Sequence, residues 1–322
     1  MVEPLRIATR TSRLALWQAE YVASRLRKDD PECEVELVHI STEGDRDQSE
    51  PLHRLGGLGV FTREVQRAVL DGRADLAVHS LKDLPTESVS GLTLAAVPVR
   101  ASMFDVLVIP ESSSKAKADV SSDDPLAALQ TGCHVATGSL RRRAQLRHHR
   151  PDLEMCDVRG NIETRLRKLD EGQFDAIVLA EAALNRLDLD HRIFSRLAPP
   201  ILYPAVSQGA LGIECRDNDE QTLQCLAVIS DPKTFAAVTA ERRLLAALRA
   251  GCHAPVGVLS HVDEEKYSLE AVVLSPDGKE RISAAATGPI AEAAKLGETV
   301  ARDLELQGAT RLVSTAQQDA ES

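Results

Sequence analysis

The chain has 322 residues, 43% of them hydrophobic, and a formal net charge of −11. That length exceeds one ordinary domain and suits two or three, each able to bury its own core. The acidic balance argues against a general nucleic-acid binder, which needs a basic face for phosphates, and no apolar run approaches the roughly 18 residues of a membrane span. The opening residues, MVEPLRIATRTS, lack a basic region followed by an apolar stretch and a small-residue cleavage site, so no secretory signal is expected. Six cysteines, at positions 33, 133, 156, 215, 225 and 252, form no CxxC pair and no zinc spacing. A reduced, cytoplasmic setting without a metal site is the expectation.

In chain order, Leu5 to Thr9 reads as a short buried strand, after which Thr11 or Ser12 can cap a helix with Ala15, Ala19, Val22 and Leu26 on one face. Val35 to Ile40 is a second β-rich run, followed by a polar, glycine-bearing loop from Glu43 to Gly59. A helix from about Phe61 to Leu70 and a strand from Ala74 to Val78 come next, the latter ending at His79-Ser80-Leu81-Lys82-Asp83. Alternation of this kind predicts a largely parallel sheet covered by helices. Ligands of such sheets sit beyond the carboxyl ends of the strands, where Arg10, Ser12 and Ser80 to Asp83 all fall.

Glu111 to Asp124 is polar and low in complexity, which marks a surface insertion. A second α/β unit follows, with strands at Val135–Thr137, Met155–Val158 and Ala176–Leu179 and helices beginning near Leu140 and after Asn161. Between Arg141 and Lys168 there are nine Lys/Arg against four acids, a local charge of +5 inside a chain of −11. Such a run is most often a solvated helix face, but guanidinium groups at strand ends also suit several carboxylates or phosphates.

The Pro/Gly-containing stretch Tyr203 to Gly212 suggests a chain crossing between domains. Beyond Asp231-Pro232 the pattern changes to a helix through Glu241 to Leu248, strands near 256–260, 269–274 and 281–286, the turn Ser275-Pro276-Asp277-Gly278, and a last helix to about Leu306. This predicts a small antiparallel sheet with helices on one side.

Seven segments, RIATRTSRLALWQA (6–19), RLGGLGVFTRE (54–64), ADLAVHSLKDLP (74–85), ATGSLRRRAQL (136–146), VRGNIETRLRKL (158–169), VSQGALGIECR (206–216) and ERRLLAALRAGCHAPVG (241–257), together resemble the hydroxymethylbilane synthase (porphobilinogen deaminase) family. The resemblance implies an α/β fold of two doubly wound, periplasmic-binding-protein-like domains, plus a C-terminal α+β domain with a small antiparallel sheet. The corresponding boundaries are 1–99 with 205–228, then 100–204, then 229–322. It implies that Cys252 carries a covalent dipyrromethane primer to which four porphobilinogen molecules are added, giving a growing polypyrrole chain and finally hydroxymethylbilane. A thiol in a glycine-led loop suits that attachment chemically. The other five cysteines are expected to be buried small hydrophobes.

By the same resemblance Asp83 is the catalytic residue. Expelling ammonia places positive charge on a pyrrole nitrogen, and a carboxylate there stabilises it and moves a proton. Arg10, Ser12, Ser80, Lys82, Thr137, Ser139, Arg141, Arg142, Arg159 and Arg165 match the positions that hold acetate and propionate groups of cofactor and substrate. Helical spacing turns Arg143, Arg147, Arg167 and Lys168 away from that role. The sequence departs from the family pattern at Leu58, where a lysine is usual, and at Phe104, Gly138 and Ala250. A monomer with neither nucleic-acid nor membrane partners is the family expectation. The rival readings are a two-lobed anion-binding protein without catalysis, which needs neither a third domain nor Cys252, and a phosphate-handling enzyme, for which GxxxxGK[ST] and GxGxxG are missing.

Overall fold

Ile7, Ala8 and Thr9 have no exposed surface, so the first strand, β1 (Leu5–Arg10), is covered on both faces. The computed structural model describes residues 4–41, 62–112, 124–127, 129–251 and 254–321, with side chains as far as 316. The Glu43–Gly59 loop with Leu58, residues 113–123 of the polar insertion, and Cys252 lie outside the described residues. One cover of β1 is α1 (Arg13–Asp29), whose N-cap Ser12 accepts a hydrogen bond from the Ala15 amide at 3.3 Å. Ala19, Val22 and Leu26 are buried as the periodicity predicts, while Ala15 is half-buried and Gln18 and Ala23 take the inner face instead. After β2 (Val35–Ile40), α2 (Arg63–Leu70) covers the opposite face with Val65, Ala68 and Val69 packed around Ala8 and Ala77.

The first sheet is completed by β3 (Leu76–Ser80), β4 (Leu92–Ala96) and β10 (Leu211–Arg216), in the order β2-β1-β3-β10-β4. The second sheet contains β5 (Asp105–Val108), β6 (His134–Ala136), β7 (Glu154–Cys156), β8 (Ala176–Ala180) and β9 (Ser195–Leu197), in the order β7-β6-β8-β5-β9. Its helices α3 (Leu140–His149) and α4 (Ile162–Asp170) pack Leu146 into one core and Leu166 with Leu169 into another, and α5 (Glu181–Arg186) follows β8 directly. The two sheets therefore share one plan. Three neighbouring parallel strands come from consecutive βαβ units, and an antiparallel strand beside them enters by a linker from the other sheet.

Both sheets are largely parallel, as the alternation predicts: four of the five strands in each run one way, and only β10 in the first and β5 in the second run against them. The alternation rule reads consecutive βαβ units, whereas β5 and β10 are delivered by linkers crossing between the sheets, and nothing constrains such a strand to run parallel. The two linkers, 97–104 and 198–210, are bonded to each other. Ala101 donates its amide to the Gly209 carbonyl at 3.2 Å, Arg100 Nε donates to the Gln208 carbonyl at 2.8 Å, and Gln208 Nε2 donates to the Met103 carbonyl at 2.7 Å. Gly209 has φ 86°, and a Cβ there would lie 2.5 Å from the Ser102 carbonyl oxygen, so only glycine admits this close crossing.

From α6 (Glu220–Ala227) the chain enters α7 (Pro232–Ala247), then the antiparallel sheet β11 (Val256–Asp263), β12 (Lys266–Leu274) and β13 (Arg281–Pro289), then α8 (Ala293–Leu306) and α9 (Ala309–Glu321). Strands β11 and β13 run three residues beyond the sequence expectation, because the ladder continues in register to Asp263↔Lys266 and Lys266↔Pro289. Among the five cysteines expected to be buried hydrophobes only Cys215 is fully buried. Cys33, Cys133 and Cys156 sit half-buried at the margins of cores, and Cys225 is half-buried on α6. Among the described residues no helix is long and apolar enough to cross a membrane.

Glu241, on α7 and without exposed surface, ties the third sheet to both linkers. It accepts from Arg100 NH1 at 2.6 Å, from the Ser207 amide at 2.6 Å and from Ser260 Oγ at 2.5 Å. Removing one member of a buried ion pair leaves the other charge uncompensated, at about 3–5 kcal/mol. Glu241→Ala is expected to lower the unfolding free energy by about that amount, read from the urea midpoint, while Arg243→Ala on the exposed side of the same helix stays close to wild type.

Candidate active site

The parallel strands of both sheets end where helices or turns begin, and backbone N–H groups at such ends favour anions. β1 brings Arg10, half-buried, to this edge of the first sheet, with Ser12 capping α1 just beyond. β3 brings Ser80, whose Oγ accepts from Gln18 Nε2 at 2.7 Å. The 3-10 turn Leu81–Asp83 then buries Leu81, half-buries Lys82 and leaves Asp83 exposed, without a hydrogen bond to its carboxylate among the described residues. In the second sheet β6 leads to buried Thr137, whose Oγ1 accepts from the Ser139 amide at 3.2 Å, and Ser139 opens α3. β7 leads to half-buried Arg159, and α4 carries Arg165, whose Nε donates to the Gly160 carbonyl at 2.7 Å.

These two edges face one another. Burial lowers the Lys82 ammonium to about 8; Asp83 and Asp105 raise it, and Arg142 and Arg141 lower it further. Burial also lowers Arg165 to about 10, reinforced by Arg142 and Arg159 and opposed by Asp83. Lys82 and Asp83 belong to the first sheet and the arginines to the second, so both sets of charges lie within electrostatic reach across one cleft. Lys82 Nζ donates to Gln208 Oε1 at 3.1 Å, which ties the cleft to the second linker.

Arg141 and Arg142, expected from sequence to face ligand acids, are engaged by an acid of the protein itself. Arg142 Nε and NH2 donate to Asp105 Oδ1 at 3.1 and 2.7 Å, and its NH1 donates to the Val178 carbonyl at 2.9 Å. Arg141 NH2 lies 2.8 Å from Asp105 Oδ2, and its NH1 donates to the Tyr203 carbonyl at 2.6 Å. Burial alone would push the Asp105 pKa up; Arg141 and Arg142 overcome this and hold it far below the usual carboxylate range. Of the basic residues set aside as structural, Arg143 pairs with Asp157, Arg147 donates to the Pro276 carbonyl, Arg167 pairs with Glu171, and Lys168 donates to the Arg159 carbonyl.

A cavity of about 730 Å³ opens beside this cleft where the three sheets meet. Its walls include Lys82, Ser139 and Arg141 from the cleft, and Gly251 and Ala254, the described residues on either side of the Cys252 segment. Charged residues of the lining are Arg63, Lys82, Arg141, Arg242 and Arg249 against Glu87, so the cavity is cationic inside an acidic chain. Among the described residues no group of three His, Cys, Asp or Glu is placed to hold a metal ion.

Two family models match the chain: "Porphobilinogen deaminase, dipyromethane cofactor binding domain" over residues 5–224 and "Porphobilinogen deaminase, C-terminal domain" over residues 235–305. The chain belongs to the porphobilinogen deaminase family. A relative of that name from Syntrophotalea carbinolica is 43% identical over 310 residues, 96% of this chain and 95% of the relative. Looser likenesses to solved structures include an ancestral cationic amino acid solute-binding protein, with TM-score 0.41, 14% identity, and coverage of 74% of this chain and 93% of that one. The Bordetella pertussis BvgS VFT2 domain has TM-score 0.40 and 16% identity over 73% of this chain and 91% of its own.

In this member of the porphobilinogen deaminase family, sequence reasoning missed the residues that hold the cleft in shape. Asp105 carried a readable signal, a lone acid in the apolar run FDVLVI (104–109), which must be paired if buried. Gln18, Gln208 and Arg186 carried none. Arg186 donates NH2 to the Gly209 carbonyl at 2.7 Å, and its guanidinium lies 5.6 Å from the centre of the Trp17 ring. Phe104, a departure from the family pattern, has the Arg196 guanidinium 5.4 Å from its ring centroid, and Arg196 in turn pairs with Glu181.

Asp105→Asn leaves two buried guanidinium groups without a counter-charge, and a loss of about 3–5 kcal/mol is expected. The sign with pH follows from the depressed pKa. The Asp105 contribution is complete above the unfolded-state value of about 4 and is lost progressively as pH falls below it toward the folded value. Urea midpoints measured from pH 6 down to pH 3 are therefore expected to fall less steeply for Asp105→Asn than for wild type.

Proposed function

We propose that this chain is a hydroxymethylbilane synthase. It condenses four porphobilinogen molecules stepwise, with loss of ammonia, onto a dipyrromethane held through Cys252, and releases the linear tetrapyrrole by hydrolysis. The observation that carries the reading is the cationic cavity whose wall is made by the residues on either side of Cys252 and by Lys82, next to Asp83. A dipyrromethane is a pair of small flat rings bearing four carboxylates, and a lining of five cations and one acid fits such a group in size and charge. When bound, it supplies the free pyrrole carbon to which the first substrate is joined.

The protein's own part is to hold acids and to manage one proton. Arg10, Ser12, Ser80, Lys82, Thr137, Ser139, Arg141, Arg159 and Arg165 receive the acetate and propionate groups. Arg142 stands behind them and adds its charge, since Asp105 and the Val178 carbonyl use its three nitrogens. Asp83, with no hydrogen bond to its carboxylate among the described residues, accepts the pyrrole N–H, stabilises positive charge on that nitrogen as ammonia leaves, and takes part in proton transfer. The division into 1–99 with 205–228, 100–204 and 229–322 makes the bonded linkers the axis between the first two domains. The family expectation of a monomer in the cytoplasm completes the reading, and the net charge of −11 disfavours nucleic acid as a partner.

Intact mass tests the proposal directly. Purified protein is expected to exceed its sequence mass by two linked pyrroles, and Cys252→Ser is expected to remove the excess. A mass equal to the sequence, with no ammonia released from porphobilinogen even after preformed primer is supplied, would overturn it. Asp83→Asn should fold normally, retain the excess mass, and turn over about 10²–10⁴-fold more slowly. Arg159→Leu and Arg165→Leu should each stall elongation, visible as an accumulation of protein bearing fewer than four added units.

A further inference from the structure

Helix α7 ends in a Schellman turn three residues before Gly251-Cys252. The Arg249 amide donates to the Ala246 carbonyl at 3.0 Å and the Ala250 amide to the Leu245 carbonyl at 3.1 Å, with Arg249 itself in the left-handed region at φ 48°. Glycine is the residue this position favours, because a Cβ is strained there. Here the chain carries an arginine instead. Its side chain is exposed, lines the 730 Å³ cavity, and has no hydrogen-bond or ion-pair partner among the described residues. A residue that the backbone disfavours, lining a cavity and without a partner for its guanidinium among the described residues, points to use of the side chain.

The surroundings say what kind of group it meets. Arg242, about two turns earlier on α7, donates NH1 to the Leu84 carbonyl at 3.0 Å and NH2 to the Pro85 carbonyl at 2.6 Å, so it joins α7 to the opposite wall of the cavity. Arg63 lines the same region, and Glu87 is the one acid of the lining among the described residues. The carbonyls at the end of α7 present partial negative charge, which disfavours an anion unless a cation offsets it. Arg249 supplies that cation on the α7 wall, apart from the strand-end arginines of the cleft.

Resting on the proposed function, we infer that Arg249 binds carboxylates of the growing polypyrrole on the α7 wall of the cavity. It thereby retains the longer intermediates near their attachment point. Each added ring brings two further carboxylates, so the contact matters more to late intermediates than to early ones.

The test compares Arg249→Gly, Arg249→Gln and Arg249→Lys in the full chain, incubated with limiting porphobilinogen and read by intact mass and by thermal midpoint. Arg249→Gly relieves the backbone and should keep or raise the midpoint, while Arg249→Gln keeps the strain. Both should lower the ratio of protein bearing three or four added units to protein bearing one or two by about fivefold, the upper end of what one exposed ion pair contributes. Arg249→Lys should recover part of it. A wild-type ratio in both neutral variants, or a change in only one of them, would overturn the inference, the latter by assigning the effect to the backbone. Unsubstituted protein without excess mass would mark the failure of the underlying functional reading instead.

Discussion

A carboxylate with no exposed surface stays ionised only if charged and hydrogen-bonding partners replace the water it has lost. Asp105 meets that requirement with Arg141, Arg142 and Gln208, and in doing so it fixes the positions of three separate parts of the molecule. Both arginines lie in the first turn of α3, so the carboxylate pins the helix whose start borders the cavity. Gln208 lies on the second linker and also receives Lys82, so the same acid is connected through one side chain to the first sheet. Among the described residues, Lys82, Arg141, Arg142, Arg159 and Arg165 gather around two acids, Asp83 and Asp105, so the cleft carries a surplus of positive charge. That surplus of cations is stabilised when a polyanion enters.

Much of the fold could be read from periodicity. Ser12 as a cap, the α1 face of Ala19, Val22 and Leu26, the strands at 35–40 and 176–180, and the turn at 275–278 all follow from local rules that act over a few residues. What periodicity could not reveal were β5 and β10, because their pairing is set by linkers that join positions about a hundred residues apart. β10 was hidden by its own sequence as well, since Gly212 and the preceding Pro/Gly-rich stretch resemble a loop. The same distinction holds for the site. The placement of Arg10, Ser80, Thr137 and Arg159 at or just beyond strand ends was legible from the alternation of strands and helices. Gln18 and Gln208 were not, because their importance lies in partners distant in sequence, and Asp105 showed only that it needed a partner, not which one.

The arginine pair shows how a motif can be located correctly and still be described incompletely. Arg141 and Arg142 are adjacent and both cationic, and sequence alone treats them alike. The structure separates them. Arg142 turns toward Asp105 and the Val178 carbonyl with all three nitrogens, whereas Arg141 also reaches the cavity wall. Successive positions on a helix differ by about 100° in direction, so two neighbouring side chains cannot serve the same surface equally.

Glu241 has a mechanical meaning as well as an energetic one. It grips Arg100 from the first linker and the Ser207 amide from the second, and it belongs to α7, a rigid rod that continues for six more residues, about 9 Å, before the turn leading to Gly251. The contacts to both linkers and the turn leading to Gly251 thus sit on one helix, whose rigidity sets the distance between the linker crossing and the Cys252 segment.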